Sequence, residues 1–422
     1  MNPAKRVLAD IRELAPKITA RAAEIENRRQ LPPDILKTLR SIGAFRLFVP
    51  QSHNGLELDL PEALEIIAAL ARIDGALGFA VGISNGNDLF AALLPLETYQ
   101  LIYQEGPDVI IAGSVTPAGT AETADVGSRV SGRWQFTSGC QHADWTFGFC
   151  VLTERGEPIA DQNGMPMVRG FFLPTRDWQM EDAWYAPGLK GAGSHHIGLK
   201  DTLIPTANMF DLADGGPCQS GPLYQAVPQL VPLLHAAICV GIAEGALDEL
   251  IVHANTGRQQ QVDKPIWRTE LFQNKIGQLA ADLRAARAFL LVQAIGHWRH
   301  ARAGTLRDEA LLIQSAQTAI WLATTCARLA DASFALAGGS ALDDASPLQR
   351  RLLDLRAAAQ HAIAQQRNYA SAGKLLLDSF LDLRTDCKGR NRRLNSRRES
   401  SSANALDSHD ASEACRITQS GE

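Results

Sequence analysis

The sequence predicts an α+β fold, mostly α, in three successive parts: an N-terminal helical domain (1–108), a central antiparallel β-domain (109–214) and a C-terminal four-helix bundle (215–384), with a disordered tail at 385–422. Three observations carry this. Apolar residues recur at helical spacing through about the first hundred positions. From Val109 to about Asp211, short runs of Val, Ile, Thr, Phe and Trp alternate with Gly, Pro, Asn and Asp turns. After Gly215 the helical period returns and persists.

Composition excludes several classes. With 422 residues, 45% hydrophobic and 21% charged, the chain can bury a large core of an ordinary globular kind. A net charge of −5 gives no reason to expect nucleic acid or an anionic membrane as partner. The seven cysteines are scattered, odd in number and without a CxxC pair, which argues against a disulfide framework or a zinc site. The pairs His297/His300 and His195-His196 lack a third ligand nearby, so no metal is expected. The N-terminus does not read as a signal peptide, and no apolar run approaches about twenty uncharged residues, so no membrane span is expected and a cytoplasmic location is the default.

In chain order, Ala4 to about Gln30 reads as a surface helix stopped by Leu31-Pro32-Pro33, and Asp34–Ser41 as a short helix ended by Gly43. Phe45–Pro50 is a brief extended run before an Asn54-Gly55 turn. Leu60–Ala71 is a strong helix, and the Gly- and Ala-rich stretch Asp74–Phe90 points to close helix packing. The clearest strands are Val130–Phe136, Phe147–Leu152, Met167–Leu173 and Ile197–Ile204, with no helix between them, hence an antiparallel barrel or sandwich. The bundle helices are expected at roughly Ala226–His253, Arg268–Arg302, Leu306–Leu336 and Pro347–Leu377. The tail opens on a basic cluster (Lys388, Arg390, Arg392, Arg393, Arg397, Arg398) and continues without aromatics.

The first chemical signal is Gly132–Trp145, a strand of period two with three aromatics that closes on Ser138-Gly139. A hydroxyl and free backbone N–H groups beside an aromatic wall suit a flat heteroaromatic ring, and a flavin is the ring this stretch suggests. There is no Walker loop and no GxGxxG opening a βαβ unit, so NAD(P)H binding within the chain is unsupported.

Several motifs then converge across residues of roughly 20–380. Leu31-Pro32 with Gly43-Ala44-Phe45 and Val49-Pro50, Ala71-Arg72-Ile73-Asp74-Gly75, and Gly188-Leu189-Lys190-Gly191-Ala192-Gly193-Ser194 resemble the acyl-CoA dehydrogenase superfamily, with Ala192 where Thr is usual. Ala337-Gly338-Gly339-Ser340, Ser346-Pro347-Leu348-Gln349-Arg350, Asp354 with Gln360-His361, and Trp134-x-Phe136-x-Ser138-Gly139 with His142-Ala143-Asp144-Trp145 resemble its flavin-dependent monooxygenase branch. That branch holds oxygenase components of two-component aromatic hydroxylases and of dibenzothiophene-type sulfur oxidation. Two departures stand out: Leu353-Asp354 replaces an Arg-Asp pair, and Asn85 and Asn87 lie where some relatives carry a substrate-side His.

The resemblance implies reduced flavin, FMN or FAD, supplied by a separate flavin reductase. It implies O₂ addition to give a C4a-hydroperoxyflavin, a small aromatic or sulfur-containing substrate, and a homotetramer built as a dimer of dimers. His361, expected on a helix lined with Ala and Leu, would face the flavin and either deprotonate a phenolic substrate or hydrogen-bond the hydroperoxide. Ser138 would bond the flavin edge or the peroxide. Ser114, Thr116 and Thr137 would add cofactor contacts. Trp134 and Phe136 would stack on the ring, although one of them is expected to fill the core. Gly338, Gly339 and Ser340 would contact the cofactor of a neighbouring subunit. One rival reading is an acyl-CoA dehydrogenase, which needs a carboxylate base. The expected places offer none: Asn368–Gly373 has no acid, and none occurs between Asp214 and Glu244. The other is a catalytically silent binding or scaffold protein.

Overall fold

The structure, a computed structural model of the chain, describes residues 2–212, 216–255 and 265–378. The tail expected over 385–422 lies outside the described residues. Met1–Tyr369 form one unit, and in the second, from Ala370, residues 370–378 are helical.

The N-terminal helices are α1 (Pro3–Thr19), α2 (Ala22–Arg28), α3 (Pro33–Ser41), α4 (Leu60–Ile73), α5 (Gly75–Ala91) and α6 (Leu96–Ile102). Asn2 caps α1, its side chain accepting from Ala4 N at 2.8 Å, while Val7, Ile11, Leu14 and Ile18 bury one stripe. The single helix expected to Gln30 is therefore two, and α2 ends on a left-handed Arg29. Phe45–Pro50 folds back on residues 56–58 through backbone bonds such as Leu58 N to Leu47 O at 2.8 Å. Asp74 caps α5, which is buried along nearly its whole length. A Cβ on Gly78 would lie 2.4 Å from Ala71 Cα, so α4 and α5 meet backbone to backbone.

The sheet contains β1 (Ile111–Ala124), β2 (Gly127–Thr137), β3 (Trp145–Glu154), β4 (Glu157–Pro158), β5 (Val168–Pro174), β6 (Gln179–Glu181), β7 (His195–Ile204) and β8 (Met209–Phe210). Its order is β6-β7-β2-β1-β3-β5-β8, with β4 on β3. All pairs are antiparallel except β1–β3, which corrects the expectation of a wholly antiparallel sheet. The reason is topological: β1, β2 and β3 alternate in direction, and β3 lands on the far side of β1 instead of beside β2. Side chains alternate between two cores. Phe147, Phe149, Phe172 and Phe210 join the helical core, whereas Trp134, Phe171, Trp178 and Ile197 fill a smaller one on the other face.

The bundle is α7 (Val227–Asn255), α8 (Glu270–Arg302), α9 (Glu309–Ala337) and α10 (Pro347–Ala358). Residues 226–243 carry no charge and α7 is long and apolar enough to cross a membrane, contrary to the expectation that no such run exists. Here α7 is a core helix, most of its apolar window being buried. The helix expected over Pro347–Leu377 stops at Ala358. Gln360 N and His361 N turn back to the carbonyls of Ala357 and Ala358, and the His361 side chain accepts from Ile363 N. These local bonds compete with the helical ladder and replace it with short 3₁₀ turns at Ala362–Ala364 and Gln366–Asn368.

Candidate active site

The register between β2 and β7 shifts between Trp134 and Thr137, and Phe136 has φ +59°, uncommon for a residue with a side chain. The irregularity turns the Phe136 ring outward, 61% exposed, where it meets His196 edge-on with centroids 5.4 Å apart. Trp134 goes the other way. It is fully buried, donates Nε1–H to Phe149 O at 2.8 Å, and packs edge-on against Trp178 and Phe171. A cofactor-stacking role for Trp134 is thereby corrected: both its faces are occupied by the sheet's own core.

Beyond Thr137 the turn is fastened on two sides. Ser138 Oγ lies 2.9 Å from Ser194 Oγ, and Gly139 N donates to Ala192 O at 2.8 Å. Gly139, at φ +75°, makes this reversal without strain. His142 Nε2 accepts from Leu31 N at 3.1 Å, and burial, with Arg40 nearby, holds this imidazole neutral, its pKa pushed down to about 4. Asp144 accepts from Ile110 N at 2.8 Å and from Arg40 Nη2 at 2.9 Å. The His142-Ala143-Asp144 motif thus clamps the turn to the N-terminal helices. Ser138 and Gly139 line a small cavity with Ala80 and Ser84 of α5 and with Phe45. Ser114 is half-buried and Thr116 exposed, where β1 slips register against β3.

His361 does not line that cavity, and it sits in the turn after α10, not on a helix. Its ring stacks on His235 of α7 with centroids 4.9 Å apart and planes 29° apart, and Phe79 of α5 approaches edge-on at 6.0 Å. Nδ1 accepts from Ile363 N at 3.3 Å, so the neutral ring carries its proton on Nε2. Burial pushes its pKa down to about 4. α5 connects the two places, since Phe79 touches His361 while Ala80 and Ser84 line the cavity beside Ser138.

Behind them, α10 is riveted to the α4–α5 junction. Arg351, 3% exposed, donates to the carbonyls of Ala71, Arg72 and Ile73, and Asp354 accepts from Leu189 N at 2.6 Å. Burial and the nearby Asp74 push the Asp354 carboxyl up to about 7. Arg351 thus spends its guanidinium on carbonyls of the α4 end, not on an ion pair with Asp354. Ser340 Oγ bonds His253 Nε2 at 2.9 Å, so Gly338-Gly339-Ser340 is a cap of α9 fastened to the end of α7.

The family description "Acyl-CoA dehydrogenase, N-terminal domain" matches residues 4–95 and "Acyl-CoA dehydrogenase, C-terminal domain" matches 233–366. The flavin-dependent monooxygenase oxygenase subunit HsaA of Mycobacterium tuberculosis is 30% identical over 380 residues, covering 85% of this chain and 92% of HsaA. The chain belongs to the flavin-dependent monooxygenases of the acyl-CoA dehydrogenase superfamily. The indole-3-acetate monooxygenase of Pseudomonas putida is 29% identical over 367 residues, covering 84% of this monooxygenase and 90% of its own length. The crystal structure of the HsaA monooxygenase from M. tuberculosis superposes with a TM-score of 0.81 at 27% identity, covering 89% and 97% of the two chains.

The turn of this monooxygenase fits a flavin. Thr137 Oγ1, Gln141 Oε1 and His195 Nε2 are buried there with no hydrogen-bond partner among the described residues, beside the half-buried Ser138 hydroxyl and the exposed Phe136 face. His195 Nδ1 lies 3.2 Å from both Ala183 N and Asp182 Oδ1. A dehydrogenase base is not supplied elsewhere on α7: its first acid, Glu244, is paired with Arg287, which also holds Glu65. Nor do the paired histidines offer a metal site. His297 is bonded to Gln293 O and Leu311 O, and no group of three His, Cys, Asp or Glu is placed to hold a metal ion among the described residues. Asn85 and Asn87 hold backbone of residues 44, 47 and 111. Sequence reasoning missed His235. Its one signal was a lone His in the uncharged stretch of α7.

Proposed function

We propose that this oxygenase component receives reduced flavin from a separate reductase and hydroxylates, or oxygenates at sulfur, a small aromatic or sulfur-containing substrate. Ser114, Thr116, Thr137 and Ser138 would hold the ring edge, and Phe136 would cover part of its face. Bound reduced flavin supplies the electrons that activate O₂. The observation that carries the reading is the neutral, half-buried His361 ring, stacked on His235, with its proton on Nε2.

That tautomer makes His361 a donor: with Nδ1 engaged by Ile363 N–H, Nε2–H would be free to donate to a reacting oxygen. Ser138 either accepts from Ser194 and donates its own proton forward, or the reverse, so one hydroxyl proton of the pair remains available. Gly338, Gly339 and Ser340 would meet the cofactor of a neighbouring subunit in a homotetramer. Exposed apolar residues on α8 (Leu291, Val292) and α9 (Leu312, Trp321) support such an assembly.

The test is anaerobic titration with reduced FMN and FAD, followed by oxygenation with a panel of phenols, indoles and thiophenes and a reductase supplying flavin. One reduced flavin should bind in preference, and His361→Ala should uncouple flavin oxidation from product formation. Wild-type product yield in that variant would remove His361 from the chemistry.

A further inference from the structure

The Ala358 carbonyl ends α10, and two donors converge on it. His361 N reaches it at 3.1 Å from within the turn, and His235 Nε2 reaches it at 3.1 Å from α7. The last carbonyls of a helix lack intrahelical partners, and Ala358 is buried, 1% exposed. These two bonds supply its two acceptor sites.

His235 is fully buried in an uncharged stretch of α7, where a leucine would fill the space without desolvating a polar ring. Its bonding accounts for its presence. Because Nε2 donates to a carbonyl, Nδ1 holds the lone pair, and Cys239 Sγ lies one helical turn further along α7 at 3.8 Å from it. Burial also pushes the His235 pKa down to about 3, so the ring is neutral. The same ring that anchors the turn is the one on which His361 stacks, and Phe79 closes both edge-on at 6.3 and 6.0 Å.

We infer that His235 is a positioning residue for His361: its Nε2–H holds the Ala358 carbonyl that starts the turn, and its ring face supports the His361 imidazole. The inference rests on His361 being the proton donor of the reaction. A side chain held at both its backbone turn and its ring face keeps the aim of Nε2, and an error of about 1 Å in such aim costs about 10²-fold in rate.

Two substitutions separate the functions of His235. His235→Phe keeps the ring and loses the donor; His235→Gln keeps a donor near the Nε2 position and loses the ring. With reduced flavin in excess, His235→Phe should lower kcat about 10- to 100-fold while KM for substrate stays within about twofold, and His235→Gln should recover part of the loss. Independently of activity, ¹⁵N imidazole spectra of the flavin-free protein should show one Nε2–H tautomer for His361 in the wild type and a mixture in His235→Phe. Unchanged kcat and spectrum in His235→Phe overturn the inference. So does an equal fall in kcat and thermal stability in both variants with the His361 tautomer intact, which marks packing alone. His361→Ala, assayed in parallel, tests the underlying reading: full activity there overturns the role of His361 itself, whatever His235 does.

Discussion

Ser138 Oγ and Ser194 Oγ lie 2.9 Å apart and join the end of β2 to the Gly188–Ser194 loop, two segments that both carry family motifs. Each hydroxyl therefore sets the orientation of the other. Ser138→Ala should lower kcat/KM about tenfold and Ser194→Ala about threefold, as expected for one hydrogen bond near a reacting group. The double variant should be no worse than Ser138→Ala, because Ser194 acts through Ser138. Steady-state kinetics with saturating reductase checks this; additive losses would show that Ser194 contacts flavin or substrate on its own.

Trp134 and Phe136 are two residues apart and do opposite things. Trp134→Phe leaves the Phe149 carbonyl without its donor and opens space between Trp178 and Phe171, so it should destabilise by about 2–4 kcal/mol. Its affinity for reduced flavin should stay within about twofold of wild type. Phe136→Ala, at an exposed ring, should leave the melting temperature unchanged and weaken flavin binding about tenfold. Calorimetry and flavin titration on the same preparations separate the two.

This pair also shows where sequence reasoning ends. Period-two alternation places Trp134 and Phe136 on the same face of a strand, yet a register shift at the end of β2 sends one ring inward and the other to solvent. No composition signal marks that irregularity, since neither residue is a glycine. The long helices, the start of α3 at Pro33 and the turn at Gly139 were legible because their signals lie within a few residues of chain. Three features were not, and all depend on distant contacts. The parallel β1–β3 pair depends on which side of β1 the third strand lands. The stop of α10 at Ala358 depends on His361 bonding Ile363 N and on His235 reaching across from α7. The role of His142-Ala143-Asp144 depends on Leu31, Arg40 and Ile110.

Arg351 holds three carbonyls at the end of α4 from a position 3% exposed, and Glu249 lies 4.0 Å away. Removing it strands those acceptors and leaves buried acids beside an empty space. Arg351→Ala should therefore cost about 3–5 kcal/mol in urea denaturation. Arg351→Lys keeps the charge but not the fork that spans neighbouring carbonyls, and should recover less than half of the loss. Full recovery by lysine would show that charge, not geometry, is what the α4–α5 junction needs.

Three histidines with lowered pKa fix the acid side of the stability profile. His235 is pushed down to about 3, His142 and His361 to about 4, chiefly by desolvation, with Arg40 adding to it at His142 and His361 at His235. Each is neutral in the folded chain and titrates near its ordinary 6.5 when unfolded. Between pH 6.5 and about 4 the unfolded state binds more protons, so stability falls as pH falls through that window and is unaffected by these groups above it. From pH 6.5 to 5, His235 alone should cost about 2 kcal/mol. Asp354 works in the opposite direction: burial pushes it up to about 7, so its folded form keeps a proton that the unfolded chain has lost, and stability falls as pH rises from about 4 to 7. Thermal unfolding of the wild type should therefore show an acid limb that flattens in His235→Phe and steepens between about pH 4 and 7 in Asp354→Asn, where the opposing contribution of the carboxyl is removed. An acid limb of the same slope in His235→Phe would mean that this histidine is already protonated in the fold; Nε2 would still donate to the Ala358 carbonyl, but Nδ1, 3.8 Å from Cys239 Sγ, would carry a proton as well.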